Sequence, residues 1–489
     1  MGREQAPEQL VRCRLGTIEG CSQLIEPKHS ASEKLEPAPT GSPAESTARI
    51  LAPNGHRSGR ARNASWPGRL AAVLLMAYPS LLLVVPGAVN TVFALLLLLS
   101  LGMLLVGALQ ERARPPTTAP LNDPLPGRWA WAYTLAMASL PLAIFLSQWA
   151  NQRWGWPYYD AASRFLFAVP VFFALRRVAP RHLLGLQYGL VAGSLLAALA
   201  ITIDPRDWGN GRLGTSFVNP IHFGDLALTL GVLAAFSIDW GSRDSRWLKA
   251  LKILALLGGL YASAKTGSRG GWAALPAFLI LWLWLHHQRI PLHTQFWRIA
   301  AACGLAVAAY VLVPEIHHRI DQIGANLVAY SHGQDNTSIG IRFQLWHVAI
   351  LMFEQHPLFG VGMGGFKALM PAMQQAGLLT PIAAAFGAGE VHSEILSNMS
   401  QLGIFGLLAI LAVYFVPARM FMRQLLAESP TRRQAARLGI TLVSGFLIYG
   451  LTVETFDLTM TAAFFALTTA VLLAIAFNQE PSRPHDNHV

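Results

Sequence analysis

The chain has 489 residues, is 53% hydrophobic and only 13% charged, and carries a formal net charge of +11. With its positive mean hydropathy, this excludes a soluble domain with an ordinary charged surface and points to a polytopic membrane protein. Cys13, Cys21 and Cys303 have no metal-ligand spacing and offer neither a disulfide framework nor a cluster site.

Residues 1 to 66 are rich in Pro, Ser, Glu and Arg, follow no sustained period and lack the uninterrupted apolar core of a signal peptide. They read as a disordered polar extension: a solvated tail, a start codon assigned too early, or a basic tether to anionic lipids. After Ser65 the chain changes character. Apolar stretches of about 17 to 25 residues, long enough to cross the hydrocarbon layer as helices, recur almost to its end. They fall at Leu70 to Val85, Ala88 to Leu109, Trp129 to Gln148, Ala162 to Leu175, His182 to Ile203, Pro220 to Asp239, Leu248 to Ala264, Gly270 to Leu285, Arg298 to Val313, Ile395 to Val416, Leu438 to Val453 and Thr459 to Phe477. The predicted fold is therefore an all-α polytopic membrane protein of about twelve transmembrane helices. Its membrane domain covers residues 67–478, with a cytoplasmic tail at 479–489 and a large loop, residues 314–394, between the ninth and tenth helices.

With a cytoplasmic amino terminus the inner loops hold Arg112, Arg114 and Arg128, then Arg176, Arg177 and Arg181, then Arg243, Arg246 and Lys249, then Arg289, and finally Arg419, Arg423, Arg432, Arg433 and Arg437. Every inner loop then obeys the positive-inside rule, both termini lie inside and the 314–394 loop lies outside. Arg153, Arg164, Arg206, Arg212, Lys265, Arg269, Arg319, Arg342 and Lys367 remain on the disfavoured side. Any one of them is explained by snorkelling or a lipid phosphate. As a group at one aqueous edge they suggest a polyanion site, because guanidinium forks match phosphate oxygens in pairs. Asp225 is the main charge at bilayer depth, either a structural hydrogen-bond partner or a site residue.

Four stretches carry chemistry. "GNGRLGTSFVNPIHFGD" puts Arg212 in a polar loop before the sixth helix. "SAKTGSRGGW" puts Arg269 just ahead of a helix start, where free N–H groups attract anions, without the spacing of a nucleotide-binding loop. "IGIRFQLWHVAILMFEQHPLFGVGMGGF" opens as an amphipathic helix with Arg342 and Trp346 one turn apart and ends in a Gly-rich turn after Pro357. "GEVHSEILSNMSQLGIFG" places His392 between Glu390 and Glu394 at the outer mouth of the tenth helix, followed by Gly403 and Gly406. If the helix extended back to His392, imidazole and Gly403 would share one face, and the glycines would admit a neighbouring backbone or a lipid tail. Free imidazole titrates near neutrality, so His392 suits proton transfer, with Glu390 or Glu394 orienting the ring; the plainer reading is an interfacial hydrogen-bonding residue.

These residues together resemble the O-antigen ligase family of membrane glycosyltransferases, from about Leu70 to the end of the chain. The family pattern is His, then Asn, Ser or Gln, nine residues, Gly, two residues, and Gly, Thr or Tyr; here it is met by His392, Ser393, Gly403 and Gly406. Arg342 and Arg269 match the family's arginines in the long periplasmic loop and in an earlier outer loop, and Arg212 matches a further basic position of the wider superfamily. The resemblance implies a donor glycan on undecaprenyl diphosphate, a lipid A-core acceptor, membrane lipids around both, an active site at the periplasmic face of the inner membrane, and no nucleic acid. It implies His392 as general base and Arg212, Arg269 and Arg342 as the diphosphate-binding set. No cofactor and no metal is expected: the outer loops hold no Asp-x-Asp pair, and the adjacent pairs His286-His287 and His317-His318 face apart on a helix. A polymerase or protein O-oligosaccharyltransferase of the same superfamily is the nearest alternative. A transporter of an anionic lipid is the alternative from another class; the absence of a visible internal repeat counts against it.

Overall fold

In lipid the backbone has no water to bond with, so apolar stretches of this length close their hydrogen bonds internally as helices. The computed structural model describes residues 66–112, 125–209, 211–286, 291–312 and 314–479, all within one unit, Asn63–Val489. The polar extension, apart from Trp66, lies outside the described residues, as do Cys13, Cys21, Arg114, His287, Arg289 and the tail beyond Gln479.

The helices run α1 (Trp66–Leu81), α2 (Ala88–Arg112), α3 (Gly127–Asn151), α4 (Tyr159–Leu175), α5 (Pro180–Leu183), α6 (Leu186–Ile203), α7 (Pro220–Phe236), α8 (Arg246–Lys265), α9 (Ala274–His286), α10 (Leu292–Leu312), α11 (Pro314–Ser331), α12 (Ser338–Gln355), α13 (Gly365–Gln375), α14 (Pro381–Gly387), α15 (Glu394–Gln424), α16 (Pro430–Tyr449) and α17 (Thr459–Ala476). A helix lies over each of the apolar stretches read from the sequence. Among the described residues, six spans are long and apolar enough to cross a membrane: Ala88–Arg112, Gly127–Asn151, Pro180–Ile203, Arg246–Lys265, Glu394–Gln424 and Thr459–Ala476. The chain is thus an all-α membrane protein, with one small exception. Between α6 and α7 a two-stranded antiparallel hairpin, β1 (Arg206–Asp207) and β2 (Leu213–Gly214), pairs Arg206 with Gly214 and Asp207 with Leu213.

The core centres on α17, whose residues from Thr461 to Ala476 are all buried. It packs against α4 and α16, and Phe446, Phe456 and Phe465 interlock there at centroid distances of 5.0 to 5.8 Å. Where α7 meets α8 the side chains are small: a Cβ on Gly259 would overlap the Ala227 carbonyl, and one on Gly231 would crowd that of Ala255. Such pairs let membrane helices pack by backbone contact, where burial of apolar surface supplies little drive.

The stretch from Pro314 to Glu394 is largely helical, where the sequence reading expected a loop with one amphipathic helix opening at Ile339. The helices α12 to α14 enclose a small core of their own, with Leu345, Val348, Ala349, Phe366, Met370 and Ala383 buried. Its α12 rests on α15, which places Arg342 and Trp346 beside the segment that carries His392.

Candidate active site

Three arginines far apart in sequence line one cavity of about 210 Å³: Arg212, Arg269 and Arg342. Each is set by local backbone. Arg212 closes the hairpin turn, its carbonyl accepting Trp208 N–H at 2.9 Å and its own N–H reaching Gly209 O at 3.1 Å. Positive φ at Gly209 and Gly211, 94° and 67°, makes that turn possible. Leu213 N–H then donates to Thr266 O at 3.2 Å, tying the hairpin to the loop that bears Arg269. Arg269 precedes the 3-10 turn Gly270–Ala273. Arg342 occupies the second turn of α12, which Thr337 caps by accepting Gly340 N–H at 3.0 Å.

The Arg342 guanidinium is partly committed, with Nη1 donating to Ser338 O at 3.2 Å and Ser338 Oγ at 3.1 Å. Its Nε is buried without a hydrogen-bond partner, a costly state for a charged donor. Burial, and then the like charge of Arg212, hold Arg342 below its ordinary pKa, against the opposing pull of Glu390. Guanidinium groups gathered with their solvation partly stripped form a ready cradle for an anion with several oxygens.

His392 stands just outside this cavity and is not one of the residues lining it. Its backbone is left-handed, φ 61°, an uncommon state for a residue with a Cβ that the surroundings must hold in place. Trp346 Nε1 donates to His392 O at 3.3 Å, so α12 presents Arg342 to the cavity and Trp346, one turn on, to the histidine. The imidazole Nδ1 lies 2.7 Å from Glu390 Oε1, an ion-pair distance, with both side chains largely buried at 12% and 23% exposure. The orientation falls short of an aligned hydrogen bond. The turn between α16 and α17 clamps this segment: Val391 N–H donates to Glu454 Oε1 at 2.5 Å, and Glu454 N–H to Glu390 Oε2 at 3.3 Å.

The carboxyls here divide in behaviour. Burial acts to raise Glu390, but the contact with His392, the charges of His392 and His222, and the Glu454 N–H together hold it below its ordinary value. Glu454 goes the other way: burial, then the charge of Glu394, push it well above, outweighing the Val391 N–H bond. Asp457 is raised by burial and by Glu390. Glu390 is therefore the carboxylate kept ionised against the imidazole.

Of the two glutamates flanking His392, only Glu390 meets the ring. The Glu394 carboxylate instead accepts Phe456 N–H at 2.9 Å and Asn398 Nδ2 at 2.8 Å, while its N–H donates to Gly450 O at 2.8 Å. Ser393 is the N-cap of α15. The shared face expected for His392 and Gly403 is corrected on two counts: the helix begins only after His392, and it breaks at Gly403, where φ is 67° and ψ is −151°. At the break the chain from Pro357 to Gly362 comes in to bond the freed groups. Val361 N–H donates to Ser400 O and Gly362 N–H to Gln401 O, both at 3.0 Å, and Ile404 N–H donates to Pro357 O at 2.8 Å. A Cβ on Gly403 would overlap the Leu358 carbonyl, and one on Gly406 the Asn398 carbonyl. Both glycines thus serve close backbone approach.

A second cavity of about 280 Å³ adjoins the histidine segment, lined by Glu390, Glu454, Asp457, Asn398, Gln401 and Lys367 among others. Sequence reasoning passed over Glu454, Asp457, Asn219 and His222. Asn219-Pro220 carries a helix-start signal, but nothing in one sequence says that the turn after the eleventh apolar stretch folds back onto His392. Among the described residues no group of three or more His, Cys, Asp or Glu could hold a metal ion. Asp225 is buried in α7 beneath this region, its Oδ1 filling the space a Cβ on Gly271 would need.

Comparison with known proteins gives two findings. Residues 252–411 match the family model described as O-antigen ligase, a stretch that includes Arg269, Arg342, His392, Gly403 and Gly406 and stops short of Arg212. A Haemophilus influenzae protein described only as an uncharacterized protein is 22% identical over 233 residues, 47% of this chain and 58% of that one. The matched region therefore spans little more than half of that relative's length.

Proposed function

We infer that this chain, whose residues 252–411 carry the O-antigen ligase family domain, is a membrane glycosyltransferase that moves a finished polysaccharide from undecaprenyl diphosphate to a sugar hydroxyl of lipid A-core. The reaction is assigned to the periplasmic face of the inner membrane, where α11 to α14 and the short turns bearing Arg212 and Arg269 would lie. One observation carries the reading: Arg212, Arg269 and Arg342 line one cavity, and α12, which bears Arg342, also holds the His392 segment through the Trp346 bond to His392 O.

The chemistry follows from the donor and acceptor inventory. A carboxylate only accepts, so the Nδ1 facing Glu390 carries a proton and Nε2 of His392 keeps its lone pair. Nε2 takes the proton of the acceptor hydroxyl as its oxygen attacks the anomeric carbon. The bond from that carbon to the diphosphate oxygen breaks, the electron pair leaves with the diphosphate, and the anomeric centre is inverted. Cations fixed beside the leaving oxygens stabilise charge that grows only as the bond breaks, and so act on the transition state. The guanidinium groups fill the role a divalent metal has in other phosphoryl-leaving reactions. The lipid diphosphate bond supplies the driving force.

In liposomes holding the purified chain, lipid-linked polysaccharide and core lipid, the expected product is core lipid carrying the donor chain whole. His392→Ala should lose about 10²- to 10⁴-fold in turnover. Donor chains lengthened by further repeats would instead identify a polymerase, and unaltered donor appearing in the opposite leaflet a transporter. Wild-type turnover by His392→Ala would remove it as the base.

A further inference from the structure

The second cavity differs in kind from the arginine cavity. The two share no lining residue, yet the turn after α16 walls both, Thr452 lining the one and Glu454 and Asp457 the other. The inner wall of the second cavity is a closed network. Ser397 Oγ donates to Glu454 Oε2 at 2.8 Å, Gln401 Nε2 donates to Ser397 Oγ at 2.9 Å, and Gln401 Oε1 accepts Gly364 N–H at 2.8 Å. Asn398 Nδ2 donates to Glu394 Oε1 at 2.8 Å, which leaves the amide oxygen of Asn398 as an acceptor. Toward the open side the polar groups have no such partners. Among the described residues, the Asp457 carboxyl, the Tyr158 hydroxyl and the Lys367 amine line the cavity without a hydrogen bond to the rest of the protein, and all three residues are exposed.

We propose that this cavity is the acceptor subsite and takes one uncharged, hydroxyl-rich sugar residue. The proposal rests on the reading of the chain as a glycosyltransferase. Its volume of about 280 Å³ lies at the lower end of small-molecule sites, which run from about 300 Å³ upward, and so suits a single sugar and not a chain. Asp457 and the Asn398 amide oxygen accept hydroxyl hydrogens of that sugar, while Lys367 and Tyr158 donate to its oxygens. Glu390 ties the subsite to the base, since it lines this cavity and its Oε1 lies 2.7 Å from His392 Nδ1. Charge sorts the two substrates. The diphosphate of the donor suits the guanidinium groups of the arginine cavity. A phosphate on the acceptor sugar would instead meet the carboxyls of Glu390 and Asp457, with Lys367 the one cation among the described residues lining the cavity.

The test uses the full chain in liposomes with lipid-linked polysaccharide and two acceptors: core lipid ending in a neutral sugar, and the same lipid with a phosphate on that sugar. The wild type should use the neutral acceptor with a KM about tenfold lower than the phosphorylated one. Asp457→Asn should raise the KM for the neutral acceptor about tenfold, leave the donor KM within about twofold because the arginine cavity is untouched, and narrow the preference against phosphate to about threefold. Should Asp457→Asn fail to fold, judged by elution and melting temperature, Tyr158→Phe at the exposed rim decides alone, with an acceptor KM raised about threefold. Binding of the lipid-free core oligosaccharide, followed by saturation-transfer NMR in detergent, reads the subsite without turnover and should weaken in the same variants. Unchanged acceptor KM and unchanged oligosaccharide binding in the folded variants overturn the subsite and leave His392 standing as the base. A raised donor KM in Asp457→Asn also overturns it, by putting this cavity in the donor site. Equal or better use of the phosphorylated acceptor by the wild type overturns the uncharged class, with Lys367 as the phosphate's partner. A wild type that binds the oligosaccharide and transfers nothing overturns the glycosyltransferase reading and keeps a sugar site here; one that does neither overturns both.

Discussion

His392 shows how a single residue is fixed by contacts that its own sequence neighbourhood only half reveals. The pattern around it named Glu390 and Glu394 as equal candidates for orienting the ring, and the structure separates them: Glu390 faces Nδ1 at 2.7 Å, while Glu394 accepts the Phe456 N–H from the turn after α16. Glu454, on that turn, is the site's most testable titrating group. Its folded-state pKa lies well above the ordinary 4.5, chiefly through burial, so the folded protein binds a proton there that the unfolded chain releases earlier. Stability is therefore undiminished below about pH 4.5 and falls as pH rises from there toward the folded-state value. Glu454→Gln keeps an acceptor for Val391 N–H and cannot ionise. Its melting temperature should fall less than that of the wild type between about pH 5 and 8, the window above the unfolded pKa, as followed by fluorescence in detergent. Parallel curves for the two proteins would show that Glu454 does not titrate in this way.

At the scale of elements, hydropathy marked the apolar helices, because helix length in lipid is set by the apolar run itself, and it passed over α11, α13 and α14 in the stretch expected as a loop. It was a poor guide to where one breaks. α15 reads as an unbroken apolar helix, yet it kinks at Gly403, and the freed carbonyls of Ser400 and Gln401 are bonded by Val361 and Gly362 from forty residues upstream, in round figures. The glycine spacing of the family pattern was visible; the reason for it was not, since the partner backbone belongs to a segment that looked like a loop. Gly403→Ala combines a backbone conformation close to glycine-only with overlap against the Leu358 carbonyl. Its cost should be about 3 kcal/mol or more, read as a lowered melting temperature with loss of transfer, because the kink anchors the chain leading from α12 to His392. A stable, fully active Gly403→Ala protein would show that the kink is dispensable.

Across the whole molecule, exposed tryptophans lie near the ends of the membrane helices. Exposed Trp131 and Trp247 lie near the amino-terminal ends of α3 and α8, while exposed Trp149, Trp154 and Trp156 lie around the end of α3 and the turn that follows. Under the topology read from the loop cations these are opposite membrane faces, where amphipathic rings concentrate. The arginines left on the disfavoured side were legible as a group from sequence because they broke the positive-inside pattern. The convergence of Arg212, Arg269 and Arg342 was not, since it depends on the 206–214 hairpin, the Gly270–Ala273 turn and α12 being brought to one cavity, while Arg164 pairs with Asp160 and Lys367 lines the other cavity. In the proposed reaction the arginine cavity binds the diphosphate and His392 moves the proton. Undecaprenyl-diphosphate binding and single-turnover transfer, measured side by side in His392→Ala and Arg342→Lys, separate the two roles. His392→Ala should bind like the wild type and transfer almost nothing. Arg342→Lys, which keeps the charge and loses the planar fork, should bind more weakly and lose on the order of 10²-fold in rate. Wild-type binding and rate in Arg342→Lys, or weakened binding in His392→Ala, would contradict these roles.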